Sequence, residues 1–144
     1  MAGFKMLSIL CAFLLFQSTF AFFGKDTTKV KIGCHNFMGT VKCKDGSKIL
    51  PSAKVELYEN DIFGDDLLVE HKLERSLPFK DSATFSWRGC YNDGNILFLG
   101  PKFANMELYY MFKDVCYKDD SYAAKDVLQD KNTYILHDEE AYLV

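Results

Sequence analysis

Residues 106–112 read Met-Glu-Leu-Tyr-Tyr-Met-Phe, with apolar side chains at every second position, Met106, Leu108, Tyr110 and Phe112. Successive side chains of a β-strand point to opposite faces, so a period of two indicates a strand with one buried face. This stretch therefore predicts a long strand, the longest in the chain, that packs one face against a core.

The same alternation recurs in both directions from this strand. The alternation slips by one residue near Asn36, which predicts a bulge or a bend there, because such a slip turns every later side chain to the other face. Residues 96–99 are a short continuous apolar run, and residues 121–130 fit either a helical turn or a strand. The shorter alternating sets are Val30 and Ile32, Val41 and Cys43, Val55 and Leu57, residues 67–73, Phe85 and Trp87, and residues 134–136.

Turn-forming residues separate these segments, for example Asp45, Gly46 and Pro51, or Asn-Asp-Gly-Asn at residues 92–95. Strands at intervals of roughly ten residues with turns between them are typical of an all-β sandwich or barrel. The aromatic content of 15% fits this class, because aromatic side chains pack well on a pleated surface. We expect a single all-β domain, an antiparallel β-sandwich of about seven or eight strands.

The first 21 residues have the organisation of an export signal. Lys5 supplies a basic start, residues 6–16 are an unbroken apolar run, and Thr19 and Ala21 are small residues where signal peptidase requires them. The apolar run is too short for a membrane span, which needs about 20 residues. We expect residues 1–21 to be a signal peptide and residues 22–144 to form a secreted, extracellular domain without a membrane span.

Removal of the signal peptide takes away Cys11 and leaves Cys34, Cys43, Cys90 and Cys116. An even number of cysteines in a small secreted domain indicates disulfide bonds, and three pairings are open. Zinc sites need CxxC motifs or closely spaced histidines, and the three histidines of this chain are far apart. We therefore expect a domain stapled by disulfides, with no metal and no cofactor.

Acidic residues cluster between two of the predicted strands, at Glu59, Asp61, Asp65 and Asp66. Several carboxylates on one loop are the ligands that Ca²⁺ prefers, although the spacing is not that of an EF-hand. Aspartates beside a glycine more commonly end strands and cap turns. This set is predicted as a candidate binding loop, and a solvated turn is the favoured interpretation.

Tyrosines are the other candidates for recognition, because a tyrosine gives a large contact area at low entropic cost. Tyr109 is out of phase with its strand and is expected on the outer face, and Tyr117 and Tyr122 follow that strand. We predict these three as surface residues. The net charge of −3 argues against nucleic acid as a partner, since nucleic-acid-binding proteins carry basic patches.

Four short motifs are spread over the chain: Gly-Thr-Val-Lys-Cys at 39–43, Ala-Lys-Val-Glu-Leu-Tyr-Glu at 53–59, Asp61 with Asp-Asp-Leu-Leu at 65–68, and Tyr109 and Tyr110 ahead of Cys116. Together they resemble the motifs of the nematode transthyretin-like family, and the resemblance extends from about Val30 to the C-terminus. The chain departs from the family pattern at Asp114, where the family has a histidine two places before the cysteine. It also lacks a further cysteine that usually follows.

The resemblance implies a transthyretin-like, or prealbumin-like, antiparallel β-sandwich and a secreted protein. It also favours one pairing of the cysteines. Cys43 and Cys116 lie in family motifs, whereas Cys34 and Cys90 do not, so the resemblance implies Cys43 with Cys116 and Cys34 with Cys90.

Transthyretin-shaped proteins include hydrolases of 5-hydroxyisourate, whose sites use histidines, an arginine and a Tyr-Arg-Gly-Ser tail. Residues 140–144 read Glu-Ala-Tyr-Leu-Val, and without a positioned base nothing activates water. We therefore expect a non-catalytic binding or adaptor protein whose partner is an extracellular protein or a cell surface. The alternative is a carrier of a small hydrophobic ligand, held in a channel between the subunits of an oligomer.

Overall fold

The computed structural model describes residues 27–61, 64–91, 105–128 and 132–144. These residues form an all-β fold, and none of them lies in a helix. The strands are β1 (Thr28–Lys31), β2 (Gly33–Cys43), β3 (Lys54–Asp61), β4 (Gly64–Lys72), β5 (Glu74–Arg75), β6 (Ser82–Tyr91), β7 (Asn105–Lys113), β8 (Ser121–Ala124), β9 (Thr133–His137) and β10 (Glu140–Leu143).

Strand β7, which contains the alternating stretch, lies at the centre of one half of the sheet. Along one edge it pairs antiparallel with β3, from Lys54↔Lys113 to Glu59↔Leu108. Along its other edge it pairs first with β1 and then with β8. Met106, Leu108, Tyr110 and Phe112 are all buried, as the period of two predicts.

The ten strands follow the order β4-β3-β7-β8-β10-β9-β2-β6-β5, with β1 attached to β7. In the second half of the sheet, β2 pairs antiparallel with β6 and parallel with β9. Strands β4 and β5 stand at the two ends of this path, yet only Leu73 separates them in the chain. The sheet is therefore nearly closed around the core.

Aromatic rings fill the middle of that core. Phe85 of β6 lies 5.2 Å from the ring of Tyr110, 5.8 Å from that of Phe112 and 6.2 Å from that of Tyr134. Such rings dominate core energetics because each buries a large apolar area. The hydroxyl of Tyr110 donates to the carbonyl oxygen of Val127 at 2.8 Å, so its burial leaves no polar atom unpaired.

The structure corrects the strand count and the position of the predicted bend. The described residues alone contain ten strands in place of the expected seven or eight, because short strands such as β5 and β8 carry too few residues to show a period. The bend lies at Ile32 and Gly33, and β2 then pairs with β6 without interruption past Asn36. At this bend the chain leaves β7 for β6, and Gly33 adopts a φ of 140° that favours glycine.

The structure joins Cys34 to Cys90 and Cys43 to Cys116, the pairing that the family resemblance implies. Of residues 121–130, which fit either a helical turn or a strand, residues 121–124 form strand β8. The predicted signal peptide, residues 1–21, and the predicted strand at residues 96–99 lie outside the described residues. Within the described part of the chain, no helix has the length and apolar character to cross a membrane.

Candidate functional site

Several loops meet at one end of the sheet. Strands β2, β7 and β9 end there and strands β3, β6 and β8 begin there, as the pairings Lys42↔Ser82, Cys43↔Leu136, Lys54↔Lys113 and Lys113↔Ser121 show. The connecting segments are residues 44–53, 76–81, 114–120 and 138–139. We call these four segments together the loop end.

Backbone hydrogen bonds hold these loops to one another. The amide of Ile49 donates to the carbonyl of Lys80 at 2.8 Å, and the amide of Leu50 donates to the carbonyl of Val115 at 2.8 Å. The side chain of Ile49 is buried, which anchors the long first loop in the core. The Cys43–Cys116 disulfide adds a covalent tie, so the loops have fixed relative positions.

Asp120 fixes the loop that follows β7. Its carboxylate accepts hydrogen bonds from the amides of Val115, Cys116 and Tyr117 at 2.7, 2.8 and 2.7 Å. Hydrogen bonds to a charged acceptor are shorter and stronger than neutral ones. Their convergence on one carboxylate makes residues 114–120 a rigid turn and sets the position of the exposed Tyr117 side chain.

A cleft of about 260 Å³ opens beside the buried disulfide at this end. Its chemistry is mixed, with carboxylates, phenols, an imidazole and an ammonium group, so it offers hydrogen-bond donors and acceptors to a polar ligand. The residues that line it are Lys44, Asp45, Cys116, Tyr117, Tyr122, Leu136, His137 and Asp138.

Asp45 is a carboxylate of the cleft that neighbouring groups hold in place by hydrogen bonds. It accepts hydrogen bonds from the Tyr117 hydroxyl and from both the hydroxyl (2.7 Å) and the amide (2.9 Å) of Ser47. The bond from Tyr117, followed by those from Ser47, lowers the pKa of Asp45 from 3.8 to about 2. The carboxylate is therefore ionised at any physiological pH.

Two further groups shape the cleft. Burial, followed by the nearby Asp120 carboxylate, raises the pKa of Tyr122 from 10.0 to about 12, so its phenol stays protonated. The Nδ1 atom of His137 lies 2.6 Å from the Asp138 carboxylate, which fixes the orientation of the imidazole ring. Both groups act as hydrogen-bonding walls of the cleft.

The most exposed apolar side chains of the loop end belong to residues 77–79, which we call the apolar turn. Leu77 is 80% exposed and Phe79 is 74% exposed. Ser76 holds the base of the turn, since its carbonyl accepts from the Lys80 amide at 2.9 Å and its own amide donates to the Ser82 carbonyl at 2.9 Å. A fixed backbone thus presents two large apolar groups to solvent.

Two of the three predicted surface tyrosines are buried, which corrects that expectation. Tyr109 is only 1% exposed and Tyr122 is 9% exposed, whereas Tyr117 is 57% exposed. Tyr109 does leave β7 on the face opposite Tyr110, but there it stacks on Tyr58 at 5.4 Å and donates to Asp65 at 2.7 Å. Alternation assigns a side chain to a face and does not tell what covers that face.

The predicted acidic loop is largely sheet. Strand β3 runs to Asp61 and β4 begins at Gly64, with Glu59 opposite Asp66 and Asn60 opposite Asp65. Among the described residues, no group of three or more histidine, cysteine or acidic side chains is placed to hold a metal ion. The backbone of these four acidic residues pairs in β3 and β4, and a binding role for their side chains stays a prediction.

Sequence reasoning missed Leu77 and Phe79. The signal for them was present, because Leu-Pro-Phe stands between the polar residues Ser76 and Lys80 and a proline-containing segment favours a turn. Apolar residues in a turn have no strand face on which to be buried.

No family model, curated protein or solved structure matches this chain. The resemblance to the nematode transthyretin-like family therefore stays a prediction.

Proposed function

We propose that the chain is a secreted, non-catalytic binding protein with a transthyretin-like β-sandwich, and that it recognises an extracellular protein or cell surface through its loop end. The observation that carries this proposal is the apolar turn. Leu77 and Phe79 project into solvent from a backbone that hydrogen bonds fix on both sides.

Rigid exposed apolar groups suit recognition for an energetic reason. Binding costs free energy when loops and side chains must become ordered, and a preformed turn avoids most of that cost. Binding hot spots are typically a few large side chains surrounded by residues that contribute little. Leu77 and Phe79 have this character, and the exposed ring of Tyr117 at the same end adds a third contact.

Secretion is supported by the two disulfides and by the export pattern of residues 1–21. Disulfides persist in oxidising compartments and are rare in the cytosol. Cys34–Cys90 and Cys43–Cys116 use all four cysteines that remain after the proposed cleavage. An extracellular partner for the loop end follows from this location.

The proposal is tested by capturing partners from extracellular material on immobilised protein of residues 22–144. A Leu77→Ser/Phe79→Ser double variant should bind the partner at least about tenfold more weakly than the native chain does. This loss is equivalent to about 1.4 kcal/mol of binding free energy. Leu67→Ser is the matched control, because Leu67 is 51% exposed but lies in the middle of β4, outside the loop end. Equal capture by the double variant and the native chain would refute binding through the apolar turn.

A further inference from the structure

The two disulfides differ in how far solvent reaches them. Cys43 and Cys116 are buried, with 6% and 5% of their surfaces exposed. Cys34 and Cys90 are both exposed, at the end of the β2–β6 pair that is remote from the loop end. Exchange of a disulfide requires a thiolate to approach a sulfur atom, so access distinguishes the two bonds.

The exposed disulfide joins residues that are held together without it. Cys34 and Cys90 are directly opposite in the antiparallel register, and the β2–β6 ladder continues from them to Lys42↔Ser82. The ring of Tyr91 packs against Phe37 with centroids 5.7 Å apart, which fixes the end of β6 from the core side. Opening this bond therefore does not require the strands to separate.

A cation stands close to the exposed disulfide. Cys34 and Cys90 lie on the outward face of the β2–β6 pair, and the next pair on that face is Asn36↔Arg88, both exposed. A neighbouring positive charge stabilises thiolates, both the attacking one and the one that leaves. Arg88 thus favours exchange at this bond electrostatically.

We propose that Cys34–Cys90 is a thiol–disulfide exchange site for low-molecular-weight thiols. The attacking thiolate forms a bond to one cysteine sulfur, the Cys34–Cys90 bond breaks, and the other cysteine leaves as a thiolate. A second thiolate then attacks the small-molecule sulfur of the mixed disulfide. Two thiols are oxidised to one small-molecule disulfide, and Cys34 and Cys90 are reduced to thiols after proton uptake.

The test treats native protein of residues 22–144 with reduced glutathione, quenches with N-ethylmaleimide, and quantifies each cysteine by peptide mass spectrometry. Cys34 and Cys90 should carry glutathione or the alkyl label at least about tenfold sooner than Cys43 and Cys116. Near-ultraviolet circular dichroism should stay native while this happens. Labelling of all four cysteines in step, or loss of the native signal before labelling, would overturn the proposal.

Two variants test the role of the cation. Arg88→Gln should slow labelling of Cys34 and Cys90 by roughly twofold or more. Lys42→Gln is the control, because Lys42 is an exposed cation on β2 at the other end of the ladder and should leave the rate unchanged. An equal rate for Arg88→Gln and the native chain would show that Arg88 has no part in exchange.

Discussion

At the scale of single residues, Glu56 shows how a charge is stabilised under the surface of this sheet. Its side chain is 3% exposed and lies 2.9 Å from Lys54 Nζ and 2.8 Å from Lys113 Nζ. The Tyr58 hydroxyl donates to the same carboxylate at 2.9 Å. Burial by itself raises the pKa of Glu56, but these three hydrogen bonds outweigh it and lower the pKa from 4.5 to about 2.

Replacing Glu56 with glutamine tests this arrangement. The variant leaves two ammonium groups without their shared anion, so we expect the free energy of unfolding to fall by about 1–3 kcal/mol. Urea denaturation measures the change. Glu70→Gln is the control, because the Glu70 side chain, which pairs with Lys54, is 50% exposed. Its replacement should lower the free energy of unfolding by less than about 1 kcal/mol. Equal losses for both variants would contradict the role assigned to burial.

The same carboxylate makes stability depend on pH. Since folding depresses the pKa of Glu56, its contribution is present above its ordinary pKa of 4.5 and is lost as the pH falls to about 2. The difference in urea midpoint between the native chain and Glu56→Gln should therefore shrink between about pH 6 and about pH 2. A difference that does not change over this range would show that Glu56 does not titrate as described.

At the scale of elements, β2 depends on a glycine at its centre. Gly39 lies opposite Phe85 in the register, and a Cβ atom there would stand 2.8 Å from Phe85 Cζ and 2.9 Å from Tyr134 Cε2. Both rings belong to the packed core and have little freedom to move away. The close approach of β2 to these rings thus requires a residue without a side chain.

Gly39→Ala should accordingly lower the free energy of unfolding by about 1–3 kcal/mol through overpacking. Thermal or urea unfolding measures it. Met38→Ala is the neighbouring control, since Met38 is 38% exposed on the outward face of β2 and should cost less than about 1 kcal/mol. A Gly39→Ala variant as stable as the native chain would mean that the strand can shift away from the rings.

At the scale of the whole molecule, the two disulfides close loops of similar length. The sequence separations are 73 residues for Cys43–Cys116 and 56 residues for Cys34–Cys90. In the chain-entropy model each bond stabilises the fold by about 4 kcal/mol, and the two values differ little because the dependence on length is logarithmic. Any larger difference between the stabilising effects of the two disulfides has its origin in the folded state.

We therefore compare the Cys43→Ala/Cys116→Ala and Cys34→Ala/Cys90→Ala variants. Each should lose about 4 kcal/mol of unfolding free energy. The first should in addition lose partner capture, because Cys116 anchors the turn that holds Tyr117, whereas the second should keep it. Denaturation gives the stabilities, and the capture assay gives the binding. Loss of capture in the second variant alone would contradict the assignment of binding to the loop end.

Whether the protein is instead a carrier of a small hydrophobic ligand depends on its oligomeric state. A ligand channel between subunits requires an oligomer, whereas recognition through the loop end does not. Size-exclusion chromatography with light scattering on protein of residues 22–144 gives the mass in solution. A monomer would remove the carrier function, and an oligomer that binds a hydrophobic probe would favour it over the proposed function.

The sequence by itself determined the strand class and the buried face of the main strands. Alternation is a local property of the backbone, so β7 and its core residues Leu108 and Tyr110 followed directly from it. The slip in parity near Asn36 indicated a break in the strand, but the structure places that break at Ile32 and Gly33. Short strands such as β10 were not predictable, because four residues that pair with distant partners carry no period of their own.

Only the tertiary structure decided which outward-facing residues are exposed. Tyr109 and Glu56 both lie on the polar side of their strands, yet neighbours from other strands cover them. The loop end could not be predicted from the sequence either, because Tyr117, Leu77 and Asp45 come from separate loops that meet only when the strands pair. Exposure and proximity depend on contacts between distant segments, and a local pattern contains no information on those contacts.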